Sequence, residues 1–178
     1  MNKLESLISK HHHLQYVFTD KMPDVLKGLC YDDEIHINTN VHKNRAELIV
    51  TISEEIAHYE TGSGNITKQN SISEIKQEHK ARKYGNFRLV SLEDLIHCRE
   101  LGYKLPHEIA DELEITEECV INAIDNYRIT KGFRFFHKGY RFNFITDSVL
   151  EINKLGGEYH LLLEQSNERT FMNVKEDS

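Results

Sequence analysis

Apolar residues first recur at helical spacing at Leu4, Leu7 and Ile8, which predicts a short amphipathic helix over residues 2–10. The stretch "LQYVF" is β-rich and is broken by Met22-Pro23. Before and after "DDE" the pattern alternates, with Leu29 and Tyr31, then Ile35 and Ile37, as the apolar positions, which predicts a β-hairpin. The densest apolar run comes next. Ala46, Leu48, Ile49, Val50, Ile52, Ile56 and Ala57 predict a mostly buried helix over 43–59, capped by Thr39 or Asn40 and stopped by Gly62 and Gly64. A polar loop, "NITKQNS", leads to a second helix expected over 72–90. Ser91, with Asp94 in the first turn, is a good N-cap for a third. "LPHEIADELEITEECVINAIDNYR" predicts two short helices joined by a turn at 114–116. In "FRFFHKGYRFNFIT" the period is two, with Tyr140, Phe142 and Phe144 on one face and a turn at Lys138-Gly139. A last short helix is expected over 148–155, ended by Gly156-Gly157, before a polar tail from Gln165.

The chain has 178 residues, 39% of them hydrophobic, which is enough for one domain with a core and at most a small appendage. Twenty-two Lys and Arg against 29 Asp and Glu leave a formal charge of −7. Phosphate contacts need clustered cations, so general nucleic-acid binding is disfavoured. Cys30, Cys98 and Cys119 are scattered, form no CxxC pair and fit a reduced compartment. "MNKLESLISK" lacks the apolar run of a signal peptide, and no stretch reaches the length of a membrane span, so a cytoplasmic protein is expected. His11, His12 and His13 are adjacent, so their side chains diverge, and a solvated turn is the expected reading.

Chemistry concentrates in "VTISEEIAHYETG", residues 50–62. Residues four apart share a helix face, so Glu54 and His58 point the same way and can reach one zinc ion. Glu55 stands at the edge of that face, where an HExxH protease has its general base. An acidic surface helix gives the same letters by chance, but Glu54 and Glu55 interrupt an apolar run, where an unpartnered carboxylate is costly. A catalytic zinc takes three protein ligands. The following helix offers Glu78 and His79, and the small Ala81 would let the two helices approach closely.

With these residues in view, the chain resembles the ImmA/IrrE family of metallopeptidases, in the branch of phages and mobile elements of Gram-positive bacteria that often carries EExxH in place of HExxH. The stretches that carry the resemblance are "LKGLCYDDEIHIN", "ISEEIAHYETGSGNI", "KQEHKARKYGNFRLVSLEDLI" and "HEIADELEITEECVINAIDNYR", which cover residues 24–130. The family's downstream helix has an E-x-x-A motif whose glutamate is the third ligand, here "EHKA". The resemblance therefore implies Glu54, His58 and Glu78 as ligands and Glu55 as the base. Before "LEDL" the family often has proline, where this chain has Ser91. Two carboxylates and an imidazole cancel the 2+ charge, so the centre would acidify water less than a two-histidine site and favour harder ions such as Mn²⁺ beside Zn²⁺. The implied fold is α+β: a zincin-like core over 1–90, a helical and hairpin region over 91–164, and a tail over 165–178. The implied activity is an endopeptidase that cleaves or inactivates a helix-turn-helix repressor of a phage or mobile element. The alternative is an antirepressor that sequesters it through the same cleft without proteolysis.

The remaining candidates have blander readings. Residues 106–128 have a helix-turn-helix pattern, with Ala110, Leu113, Ile115 and Val120 as the buried set. Seven acidic residues there (Glu108, Asp111, Glu112, Glu114, Glu117, Glu118 and Asp125) stand against Arg128 alone, which argues against a DNA-reading helix. Lys76, Lys80, Arg82, Lys83 and Arg88 form a basic stripe of the kind that is usually solvated. His79 lies about 100° around the helix from Glu78 and suits the surface or the surroundings of the metal better than ligation. His36 and His42 are expected at the surface, and Tyr59 and Tyr84 as buried aromatics, with a phenol donor to an oxyanion as the sharper alternative. Nothing in the sequence supplies Cys30 with a base, so a thiol nucleophile is unsupported.

Overall fold

The computed structural model describes residues 2–62, 72–146 and 149–156, and for 72–79 the backbone alone. The expected loop "NITKQNS", Gly64, and the tail from Gln165 lie outside the described residues. The chain divides into two compact units, Met1–Asn126 and Tyr127–Ser178. It is a mixed α+β protein, and no helix among the described residues is long and apolar enough to cross a membrane.

The first unit opens with helix α1 (Lys3–Lys10), started by a capping box in which Asn2 and Glu5 exchange hydrogen bonds. The His11–His13 segment forms a turn, as expected. Strands β1 (Gln15–Thr19), β2 (Gly28–Tyr31) and β3 (Glu34–Asn38) form a sheet in the order β1-β3-β2. The predicted hairpin is β2–β3, antiparallel and closed at Asp32-Asp33, while β1 runs parallel to β3. The chain must therefore pass the end of β3 between β1 and β2. Asn38 is the peg there: it is fully buried, and its side-chain amide donates to the carbonyls of Pro23 and Leu26 at 3.1 and 3.0 Å. Ile35 and Ile37 face the covered side and are buried, but in β2 the buried position is Cys30, which pairs with Ile35, and the expected Leu29 and Tyr31 lie on the other, exposed face.

Helix α2 (Arg45–Thr61) covers that face with Ile49, Ile52, Ile56 and Ala57, all of zero exposure. Its cap is Asn44, not Thr39 or Asn40. Asn44 Oδ1 accepts from the Glu47 N–H, whereas Asn40 stands well before the first helical residue, Arg45, and its side chain donates to the Asp20 carbonyl at 3.0 Å. Gly62, in the left-handed conformation, ends the helix as expected. Helix α3 (Ile72–Leu89) packs on α2. Ala81 is fully buried, and a Cβ on Gly85 would stand 3.3 Å from the Ser53 carbonyl oxygen. These two small residues, four apart, let the helix backbones meet. Helices α4 (Leu92–Glu100), α5 (Pro106–Glu112) and α6 (Glu117–Lys131) follow, with Ser91 and Asp94 forming the predicted cap of α4. Ala110, Leu113, Ile115 and Val120 are buried, as their spacing implies.

The second unit holds an antiparallel sheet of β4 (Arg134–His137), β5 (Tyr140–Thr146) and β6 (Val149–Lys154). Lys138 and Gly139 both have positive φ, as a two-residue hairpin turn requires. Tyr140, Phe142 and Phe144 are buried together, and Phe142 stacks on Phe135 at 4.8 Å. The helix expected over 148–155 is instead strand β6. Leu150 and Ile152 pair with Phe144 and Phe142 of β5, and this cross-strand apolar partner outweighs the weak helical spacing of a six-residue segment.

Candidate metal centre

Glu54, Glu55 and His58 all lie in the second half of α2, and each is partly exposed beside the buried Ser53, Ile56 and Ala57. The helix pitch puts Glu54 and His58 on one face. The Nδ1 atom of His58 is closed off from solvent. Oε1 of Glu54 is 3.7 Å from Nε of Arg82 on α3.

Glu55 sits differently. It leans on β2, where a Cβ added to Gly28 would stand 2.7 Å from its Oε1 and 2.8 Å from its Cγ. The same Cβ would stand 2.9 Å from Cγ2 of Thr51, one turn earlier on α2. Glycine weakens a strand, and where it persists another group often approaches the backbone closely. Here that group is the Glu55 side chain. Its charge is felt nearby: burial first, then Glu55, pushes the Cys30 thiol up to about 11. The other two thiols are also raised, Cys98 to about 11 and Cys119 to about 12, with burial the main cause in each. None is a poised nucleophile.

The α2–α3 contact is fixed beside the site. Ser53 is buried and its hydroxyl donates to the Gly85 carbonyl at 3.0 Å. Arg88 donates to the Ser53 carbonyl at 2.9 Å and also reaches Glu60. The basic stripe is thus not one solvated face: Arg82 and Arg88 serve α2, while Lys80 and Lys83 lie over the rings of Tyr84 and Phe87. Glu54 and Arg82 line a polar cavity of about 360 Å³ with Lys27, Glu47, Asn86 and Asn122 among its other walls.

Glu78 and His79 are in α3, and their side chains lie outside the described residues. Among the described residues no three His, Cys, Asp or Glu side chains gather into a metal-holding group. The two histidines flagged outside α2 have other work. His42 bridges the Asn38 carbonyl, at 2.8 Å from Nδ1, to the Thr51 hydroxyl, at 3.1 Å from Nε2, and so ties β3 to α2. His36 pairs with Glu34 at 2.9 Å. Tyr59 and Tyr84, expected to be buried, are both exposed, and Tyr59 meets the ring of His13. Gly28, Gly85 and the Arg82 contact were not singled out by the sequence. A glycine inside an alternating strand, and a glycine four after Ala81, were the available signals.

Comparison with known proteins finds no family model, no curated protein and no solved structure that matches this chain.

Proposed function

We propose that this chain is a zincin-like, metal-dependent endopeptidase in which Glu54, His58 and Glu78 hold a divalent ion and Glu55 is the general base. We further propose that its substrate is a helix-turn-helix repressor. One observation carries the reading: Glu55 occupies a cradle that any side chain on Gly28 would fill, beside two donors one helical turn apart. An acid held against a strand backbone next to an imidazole is placed to handle protons. The donor chemistry also fits, since carboxylate and imidazole both ligate Zn²⁺ and Mn²⁺. When bound, such an ion supplies Lewis acidity toward a peptide carbonyl and toward water. Glu55 then takes the proton of the attacking water and delivers it to the departing amine. Strand β2 lies at the edge of its sheet, so an extended peptide can pair along it and pass Gly28, which brings a scissile bond close to Glu55.

The test is incubation with the repressor encoded nearest to this gene, in Zn²⁺ or Mn²⁺, read on a gel. Wild type is expected to give defined fragments, and Glu55→Gln to bind repressor and metal without cutting. Binding without fragments in wild type would replace proteolysis by sequestration. No binding at all would remove the repressor from the account.

A further inference from the structure

We propose that Arg82 competes with the metal for Glu54 and so sets the affinity of the site from within the fold; this rests on the reading of Glu54 as a ligand. The Nε–Oε1 distance of 3.7 Å is an ion-pair distance and too long for a hydrogen bond. That decides the sign of the effect. A residue that supports a metal ligand does so by a directed hydrogen bond that orients it and raises its basicity. Arg82 makes a charge contact instead, and a guanidinium beside a divalent cation sets like charge against like. It therefore satisfies Glu54 in the metal-free protein and moves off when the ion arrives. Its side chain is 51% exposed, and the cavity it lines also carries the carboxylates of Glu47 and Glu118. Glu47 already draws Lys27 to 3.9 Å, so this wall of the cavity attracts cations.

An exposed ion pair plus residual repulsion is expected to weaken metal binding by about three- to thirtyfold. The experiment is calorimetric titration of Mn²⁺ and of Zn²⁺ into chelator-stripped wild type, Arg82→Gln, Arg82→Lys and Glu54→Gln, at low and high salt. Melting temperatures in chelator check that each variant is folded. Arg82→Gln is expected to bind about tenfold more tightly than wild type, an advantage that shrinks as salt screens the pair. Arg82→Lys, which keeps the charge, should stay near wild type, and Glu54→Gln should lose most of the binding. Equal or weaker binding by Arg82→Gln, with binding still lost in Glu54→Gln, would overturn the competition and leave the ligand assignment standing. Absence of binding in both wild type and Arg82→Gln would overturn both.

Discussion

Replacing Asn38 by alanine tests whether the crossing from β1 to β2 depends on one side chain. Asn38 is fully buried at the end of β3. Its amide has two hydrogens and three carbonyls in reach: Leu26 at 3.0 Å, Pro23 at 3.1 Å and Met22, the weakest, at 3.4 Å. Its Oδ1 accepts from the Asn40 N–H at 3.1 Å. Asn38→Ala thus removes three sound hydrogen bonds, each worth about 1 kcal/mol net. The vacated volume adds to this, while water reaching the exposed Leu26 side gives some back. The expected loss is about 3 kcal/mol, or a melting temperature lower by roughly 10 °C. Urea denaturation should show a lower midpoint at an unchanged slope. Asn38→Asp keeps the shape but turns a carboxylate toward two carbonyls. It should be worse than alanine at neutral pH and recover in part on acidification, when the protonated acid can donate again. A loss below about 1 kcal/mol for alanine, or an aspartate variant as stable as wild type, would show that the loop is held by something else.

Other consequences are open to direct measurement. Gly28→Ala should fold and retain metal, yet displace Glu55 by roughly the 1 Å that can cost on the order of a hundredfold in turnover; unchanged cleavage would mean the cradle is incidental. The three buried thiols should resist alkylation at pH 8 in the native protein and all react once urea unfolds it. Rapid native labelling of Cys30 would show instead that β2 readily lifts from α2.

Much of the fold is legible in the sequence where local signals and tertiary partners agree. The alternation of Ile35 and Ile37, the capping pair Ser91 and Asp94, and the turn at Lys138-Gly139 all stand where the pattern puts them, whereas in β2 it is Cys30 and not Leu29 and Tyr31 that faces the core. The signal fails where a distant partner decides. Val149, Leu150 and Ile152 fit a short helix or a strand equally well, and only the neighbouring β5 selects the strand. Thr39 and Asn40 read as caps on paper, but the helix starts at Arg45, and it is the adjacent Asn44 whose side chain accepts from the Glu47 N–H. At the site, helical pitch suffices to bring Glu54 and His58 to one face. It says nothing of Gly28 against Glu55, or of Arg82 against Glu54, because both contacts come from the meeting of separate elements. Arg88 was hidden for the same reason: within its own helix it is one cation of a stripe, and only α2 gives it the Ser53 carbonyl.

The most direct measurement is the metal content and thermal response of protein purified without chelator or nickel resin, beside His58→Ala and Glu78→Gln. The account expects close to one Zn²⁺ or Mn²⁺ per chain in wild type, a melting temperature that rises when either ion is added, and loss of both in each variant. Wild-type protein that carries no metal and melts at the same temperature with and without added Zn²⁺ or Mn²⁺ would contradict the metal centre, and the proposed endopeptidase with it.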